Sequence, residues 1–449
     1  MRIKRLEILV RENIVKWGKT MAVYKIPYGD DTLQVDVKDK NFMFYAAPVK
    51  ADFIPEQDKV IADALNHPIG TEKLENLVNA QMKIVIMVDD ITRPTPKKKL
   101  LPPVLRELEK AGVPKKHIKI VIGLGTHRQM TEEEIETHIG INNILGYELV
   151  NIDYKDQSRF VNMGKSENGT PIEVYEEVIN ADFKIAIGNI VPHIAAGWGG
   201  GAKMIQPGVC SERTTEVTHL MACTLQPVLE VCGNADNETR KEMEQIAGQV
   251  GLDYIVNTVL DENKNILGVF SGHYIKAHRA GIALAKKIMC PQIPQQADIL
   301  IASAYPCDID FWQGCKPYIY AQYGVKEGGV LIFVIEGREG LCGNAPQHEE
   351  TLREWTLASF EEQKAAVARG EIKDIVGINV PLFHSTVRHR VTTICISKGF
   401  SKTDMECLGF NYAKDINEAL KMAFDIMGEE AKVGIIPYCG ETLVSVEER

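Results

Sequence analysis

Four apolar runs constrain what this chain can fold into: Lys83–Val88, Ile118–Leu124, Glu148–Ile152 and Phe183–Ile190. The first, Lys83-Ile-Val-Ile-Met-Val88, is continuous rather than alternating, as a strand covered on both faces requires. Between the runs lie stretches patterned as helices, one at about 101–111 with Pro102 and Pro103 in its first turn, and a short one opened by the capping box of Thr131 and Glu134. Strands and helices alternating at this spacing imply a mostly parallel sheet with right-handed crossovers. Each run also ends in polar or glycine-rich residues. Asp89-Asp90-Ile91-Thr92-Arg93-Pro94 follows the first, Gly125-Thr126-His127-Arg128 closes the second, and Pro192-His193 follows the fourth. Sheets of this type bind ligands beyond the carboxyl ends of their strands. The pattern that predicts the fold thus also places a candidate site.

A chain of 449 residues exceeds one ordinary core. The run Pro291-Gln-Ile-Pro-Gln-Gln296 reads as a linker, and Asp298–Ser303 opens a second strand–helix series. Further strands are expected at 330–335 and 391–396, with helices at 349–369 and 416–427. The expected architecture is α/β, with two α/β domains of mostly parallel sheets. A larger N-terminal domain spans 21–290 and a smaller C-terminal one 297–429, with residues 430–449 returning to the first. Other helices are expected at 57–66, 71–80, around 173–180, 210–222, 237–250 and 273–289. The opening 20 residues are basic but lack the apolar core of a signal peptide, so they read as an extension ahead of a start at Met21.

The net charge of −10 argues against a nucleic-acid partner or an acidic membrane surface, and no apolar run approaches the roughly 20 residues of a membrane helix. Ten cysteines form no CxxC pair and read as reduced thiols of a cytoplasmic protein.

His127 and His193 each stand at a strand end. Imidazole titrates near about 6.5, so a facing pair suits a reaction needing a base on one side and an acid on the other. Either histidine could equally satisfy a loop carbonyl. Lys203 follows Gly199-Gly200-Gly201-Ala202, where backbone can approach a ligand closely. Neither the P-loop order nor G-x-G-x-x-G is present, which leaves phosphate binding, a covalent link and a solvated loop lysine all open. His219 falls on an expected helix; imidazole suits nickel, zinc or copper, yet one histidine makes no metal site. Arg93 and Lys316 are candidate anion binders, and Gln313 lies one helical turn before Lys316.

Four signatures taken together, Asp89–Pro94, Gly125–Arg128, Gly188 through His193 and Lys203 to His219, and Gln313-x-x-Lys316, resemble the nickel-pincer-dependent lactate racemases and related 2-hydroxyacid racemases and epimerases. The resemblance covers about residues 22–440. It implies nickel held by a pyridinium-3,5-bisthiocarboxylic acid mononucleotide attached covalently at Lys203, with His219 as the protein ligand to the metal. It makes His127 and His193 the acid/base pair, places Asp90, Ile91, Thr92 and Arg93 at the cofactor or substrate, and gives Gln313 and Lys316 the substrate carboxylate. It also implies reversible hydride transfer, cofactor maturation proteins as partners, a cytoplasmic location and an oligomeric state left open. Some relatives carry a histidine where Asn151-Ile152-Asp153 stands, and Trp198 is expected to shape the pocket; both leave the substrate open. A cofactor-free binding protein of the same fold and a zinc-dependent lyase or hydrolase using His193 and His219 are the competing readings, the latter needing a third ligand.

Overall fold

The computed structural model describes residues 15–16, 21–50 and 55–447. The reading of residues 1–20 as an extension therefore lies outside the described residues, apart from Val15 and Lys16, which pair antiparallel with Val23 and Ala22. The chain divides into two units, residues 51–286 and residues 1–50 together with 287–449.

The 51–286 unit is built on a six-stranded sheet. Its strands are β1 (Ile84–Asp89), β2 (Ile118–Gly123), β3 (Glu148–Asn151), β4 (Phe183–Asn189), β5 (Tyr254–Leu260) and β6 (Ile266–Gly272), in the spatial order β3-β2-β1-β4-β5-β6. All neighbours are parallel except β5 and β6. Every residue of β1, β4 and β5 is buried, as their unbroken apolar patterns demand. Helix α1 (Lys97–Lys110) begins earlier than its apolar pattern suggests, so Pro102 and Pro103 lie inside it. The Lys98 carbonyl that an N–H at position 102 would have met accepts instead from Asn143 Nδ2 at 3.4 Å. Helices α2 (Glu212–Thr224), α3 (Glu238–Val250) and α4 (Lys276–Met289) follow as the periodicity indicates.

Two expected helices fail here. The one at 71–80 is a single turn, Leu74–Leu77. The one around 173–180 gives way to an antiparallel hairpin, Phe160–Lys165 with Pro171–Tyr175, followed by one turn at Glu176–Ile179. Alternation in Pro171–Tyr175 buries Ile172 and Val174, a two-residue period that outweighs the short helical pattern behind it.

The other unit carries a fully parallel sheet. Its strands β7 (Ala297–Ser303), β8 (Val325–Val334), β9 (Thr392–Ile396), β10 (Asn411–Tyr412) and β11 (Val433–Ile436) join the short strand Phe42–Tyr45, in the order β10-β9-β8-β7-β11-Phe42–Tyr45. One face packs on the N-terminal hairpin Met21–Tyr28 and Asp31–Lys38 and on a helix near the C-terminus, through Tyr24, Ile26, Val35, Ile301, Ile332 and Leu420. On the other face lies α5 (Phe311–Ala321), whose Tyr318 ring meets Phe333 edge-on.

The domain limits expected from sequence need correction. Residues 430–449 do not return to the first sheet: β11 runs between β7 and Phe42–Tyr45, buried at all four positions. Residues 21–50, expected in the N-terminal domain, belong to this same unit. Gly434 makes that pairing possible, because a Cβ there would sit 2.2 Å from the Phe44 ring. The expected linker at 291–296 contains a two-residue strand, Gln292–Ile293, paired with Ser445–Val446. The single helix expected at 349–369 is two, Glu349–Trp355 and Phe360–Ala368, the second restarted by a capping box at Ser359 and Glu362. No helix among the described residues is long and apolar enough to cross a membrane.

Candidate active site

The order β3-β2-β1-β4-β5-β6 reverses direction between β1 and β4, and crossovers that leave in opposite senses open a crevice beyond their carboxyl ends. The three polar strand ends singled out from sequence all belong to this edge. Below it lies a buried ion pair. Lys97, fully buried at the start of α1, donates to Asp89 Oδ1 at 2.8 Å and to the Asp90 carbonyl at 3.0 Å, while the Thr95 hydroxyl donates to Asp89 Oδ2. These bonds fix the peptide that carries Asp90.

Asp90 is the centre of the polar network. Its Oδ1 accepts from the backbone and hydroxyl of Thr92, at 2.9 and 2.5 Å, and its Oδ2 lies 2.6 Å from His127 Nδ1. Burial pushes this carboxyl up, but His127, Arg93 and the Thr92 hydroxyl outweigh burial and hold it well below the usual carboxylate range. Arg93 is tied to the same turn through the Thr92 carbonyl at 3.0 Å and hydroxyl at 2.8 Å, and the half-buried Ile91 packs against the core.

The glycine-rich segment after β4 folds into a short hairpin, Pro192–His193 with Gly197–Trp198, and then a 3₁₀ turn, Gly201–Met204, that carries the half-buried Lys203. Its carbonyls turn inward onto two side chains that spacing did not reveal. Arg240, fully buried on α3, donates to the carbonyls of Ala196 (3.1 Å), Gly200 (3.3 Å) and Trp198. His278, fully buried on α4, meets the Gly199 carbonyl through Nε2 at 2.7 Å. Burial, with Arg240 and Arg279 nearby, holds His278 well below the usual imidazole range, so it is a neutral donor. Asn257 Oδ1 on β5 accepts from Gly201 N at 2.8 Å. Gly201 has φ +59° and a Cβ there would lie 2.9 Å from the His278 ring, so only glycine fits this backbone. A signal for both hidden residues existed. Arg240 shares the apolar stripe of Met243 and Ala247, and His278 that of Ile282 and Ala285. Trp198, expected to shape the pocket, is fully buried and donates its indole N–H to the Gly233 carbonyl at 2.7 Å, so it braces the loop.

Several bonds draw the remaining residues to this loop. Gly125 N donates to the Gly208 carbonyl at 3.0 Å, which sets the His127 turn against the segment after Lys203. Gln206 Nε2 donates to the Thr218 hydroxyl at 2.6 Å, which links that segment to α2 beside His219. His219 Nδ1 lies 3.0 Å from the Thr215 carbonyl; a carbonyl only accepts, so Nδ1 carries a proton, and in the neutral ring Nε2 is the nitrogen with the lone pair a metal requires. Among the described residues, no three His, Cys, Asp or Glu side chains converge as a metal site. A metal on His219 would therefore draw one ligand from the protein here and would need its further donors from a bound group, as a ligand with its own carbon and sulfur donors would bring.

Gln313 and Lys316 lie in the other unit, on the first turns of α5, and contact each other through Lys316 Nζ and Gln313 Oε1. Asp310 caps that helix, accepting from Gln313 N at 2.8 Å and, through Oδ2, from Asn344 N at 2.9 Å; burial pushes its carboxyl up to about 6.

A model of the lactate racemase N-terminal domain matches residues 28–229, and a model of the lactate racemase C-terminal domain matches residues 293–444. The chain belongs to the lactate racemase family. The lactate racemase of Thermoanaerobacterium thermosaccharolyticum is 29% identical over 428 residues, covering 93% of this chain and 98% of the relative. That of Lactiplantibacillus plantarum is 29% identical over 425 residues, with the same shares covered. The solved lactate racemase apoprotein from T. thermosaccharolyticum superposes with a TM-score of 0.83 at 27% identity, over 95% of this chain and 100% of that one. A Thermotoga maritima crystal structure, 19% identical with a TM-score of 0.69 and covering 89% of this chain, shares the fold. As a member of the lactate racemase family the chain is an isomerase.

Proposed function

We propose that this chain racemises or epimerises a lactate-like 2-hydroxy acid, with nickel in a pyridinium-3,5-bisthiocarboxylic acid mononucleotide attached at Lys203. The observation that carries the reading is the Asp90–His127 pair at the crevice between β1 and β4. An ionised carboxylate behind Nδ1 orients an imidazole as a base and steadies its protonated form. When bound, the cofactor supplies a reversible hydride acceptor, which avoids removing as a proton a carbon-bound hydrogen that imidazole is too weak a base to take.

The chain's own residues do the rest. His127 and His193 handle the hydroxyl proton, and His219 offers Nε2 to nickel. Asp90, Ile91, Thr92 and Arg93 line the cofactor or substrate, with Arg93 as the planar cation suited to a phosphate or carboxylate. Gln313 and Lys316 take the substrate carboxylate. Cofactor maturation proteins and a reducing cytoplasm complete the reading.

The test is protein co-expressed with the cofactor-maturation enzymes. Elemental analysis should find nickel, the Lys203 peptide should gain the cofactor's mass, and a chiral assay should show interconversion of at least one 2-hydroxy acid. Loaded protein that interconverts none across a broad panel would sink the proposal.

A further inference from the structure

Helix α5 starts with its early N–H groups already committed. Phe311 N donates to the Gly340 carbonyl at 3.1 Å and Trp312 N to the Leu341 carbonyl at 2.8 Å, both on the loop that follows β8. Gln313 N donates to Asp310 Oδ1 at 2.8 Å. The same two segments are joined ahead of the helix, by Gly337 N on the Asp308 carbonyl at 2.8 Å and by Glu339 N on the Ile309 carbonyl at 2.9 Å. The first turn of a helix ordinarily has such N–H groups to offer an anion. Here an arriving carboxylate finds the first three taken, so side chains on these turns must recognise it.

Asp310 does more than cap the helix. One oxygen suffices for a cap, and Ser211, Ser359 and Ser401 each cap a helix of this chain with a hydroxyl. The second oxygen of Asp310 accepts from Asn344 N at 2.9 Å, on the same loop after β8. Asp310 is fully buried, and burial raises its carboxyl to about 6; Glu339 raises it too, while the two N–H groups and the Lys316 charge lower it. Above that pH both oxygens only accept. A buried charge is costly where serine would cap without that cost. What serine cannot do is hold Gln313 N and Asn344 N at once.

We infer that Asp310 is a positioning residue for substrate binding: by joining the first turn of α5 to the loop after β8, it sets where Gln313 and Lys316 meet the substrate carboxylate. The inference rests on the racemase reading and adds to it a residue that never touches substrate. Asp310 acts through the backbone of Gln313, and Lys316, in contact with the Gln313 side chain, is carried with it.

The test uses full-length, cofactor-loaded protein at pH 8 and a 2-hydroxy acid that the wild type interconverts. Asp310→Asn keeps the size and one accepting oxygen, so one of the two bonds is lost. Its KM should rise about tenfold with kcat within about threefold, because binding is disturbed and the proton chemistry is not. In a Lys316→Ala background the same substitution should raise KM less than about twofold further, since a residue acting through Lys316 has little left to act on. Asp310→Ser, which keeps the cap alone, should repeat the pattern and serves if the asparagine variant does not fold. Hydrogen exchange read by mass spectrometry should quicken in peptides covering 308–316 and 337–345 and stay unchanged in β1. A KM within twofold of wild type, an equal KM rise with and without Lys316, or unchanged exchange in both peptides would overturn the inference. Loaded wild type that interconverts no 2-hydroxy acid would remove the racemase reading and this substrate role together, whereas wild-type turnover with an unmoved KM in the variants would remove the role of Asp310 alone.

Discussion

Asp90 is where the residue-scale chemistry converges, because Thr92 and His127 take its two carboxylate oxygens and, with the Arg93 charge nearby, favour its ionised form. Replacing it with asparagine leaves the size unchanged and removes the charge, so His127 loses both its fixed tautomer and the partner of its imidazolium. Asp90→Asn should lower kcat by about 10²–10⁴-fold. The mass of the Lys203 peptide should be unchanged, since the bonds of Asp90 go to Thr92, Lys97 and His127. A kcat within threefold of wild type in fully loaded protein would remove Asp90 from the proton chemistry. The placement of Asp90 and His127 at strand ends was legible in the sequence, because continuous apolar runs stop where the sheet edge begins. Their contact was not, because it depends on β1 and β2 being neighbours in register, which spacing along the chain does not specify.

At the scale of the element, the glycine-rich loop is rigid despite its composition. Glycines permit the path, but Arg240, His278 and Asn257 select one path among many by taking four carbonyls and one N–H. Arg240→Met keeps the length of the stem and leaves three carbonyls buried without their donor. It should cost about 3 kcal/mol in denaturant unfolding of the 51–286 unit. It should also reduce cofactor attachment at Lys203, read by intact mass on the folded fraction. Gly201→Ala should cost about 1–3 kcal/mol for the strained φ alone, before its clash with His278. Arg240→Met protein that is as stable and as fully loaded as wild type would show that the loop finds its shape unaided. What holds the loop is not legible in the sequence, because the residues that do so lie more than thirty positions away on helices whose polar members are easily read as solvated.

On the scale of the whole molecule, the sequence shows two α/β series but not which strands complete each sheet. A four-residue strand such as β11 has too few residues to name its partners, and its assignment depends on Gly434 admitting Phe44. A fragment of residues 297–429, the domain that sequence patterning outlines, lacks β11 and Phe42–Tyr45, so β7 becomes a raw apolar edge. That fragment should be insoluble or unfolded by circular dichroism, whereas residues 287–449 joined to 21–50 by a flexible linker should fold. A soluble, cooperatively melting 297–429 fragment would contradict the sheet order.

Two buried groups in this second unit act on its stability against pH in opposite senses. His384 is fully buried among Phe311, Tyr318 and Phe410, and burial, with Arg388 nearby, lowers its imidazole to about 3. The unfolded chain therefore binds a proton below about 6.5 that the folded chain refuses, and stability is lost at about 1.4 kcal/mol per pH unit from there down toward 3. Asp310, raised to about 6 by burial, takes up its proton in the folded state first, and so regains stability as pH falls from 6 toward 4. Between pH 6 and 4 the two slopes offset each other in the wild type, and single substitutions separate them. His384→Phe, which suits the aromatic cluster, should shift the slope of unfolding free energy between pH 6 and 4 by about one proton, making acid less destabilising. Asp310→Asn should shift it by about one proton in the other direction. Urea titrations at pH 6, 5 and 4 read both slopes, and parallel pH dependences for wild type and His384→Phe would show that the buried imidazole is already charged in the folded state.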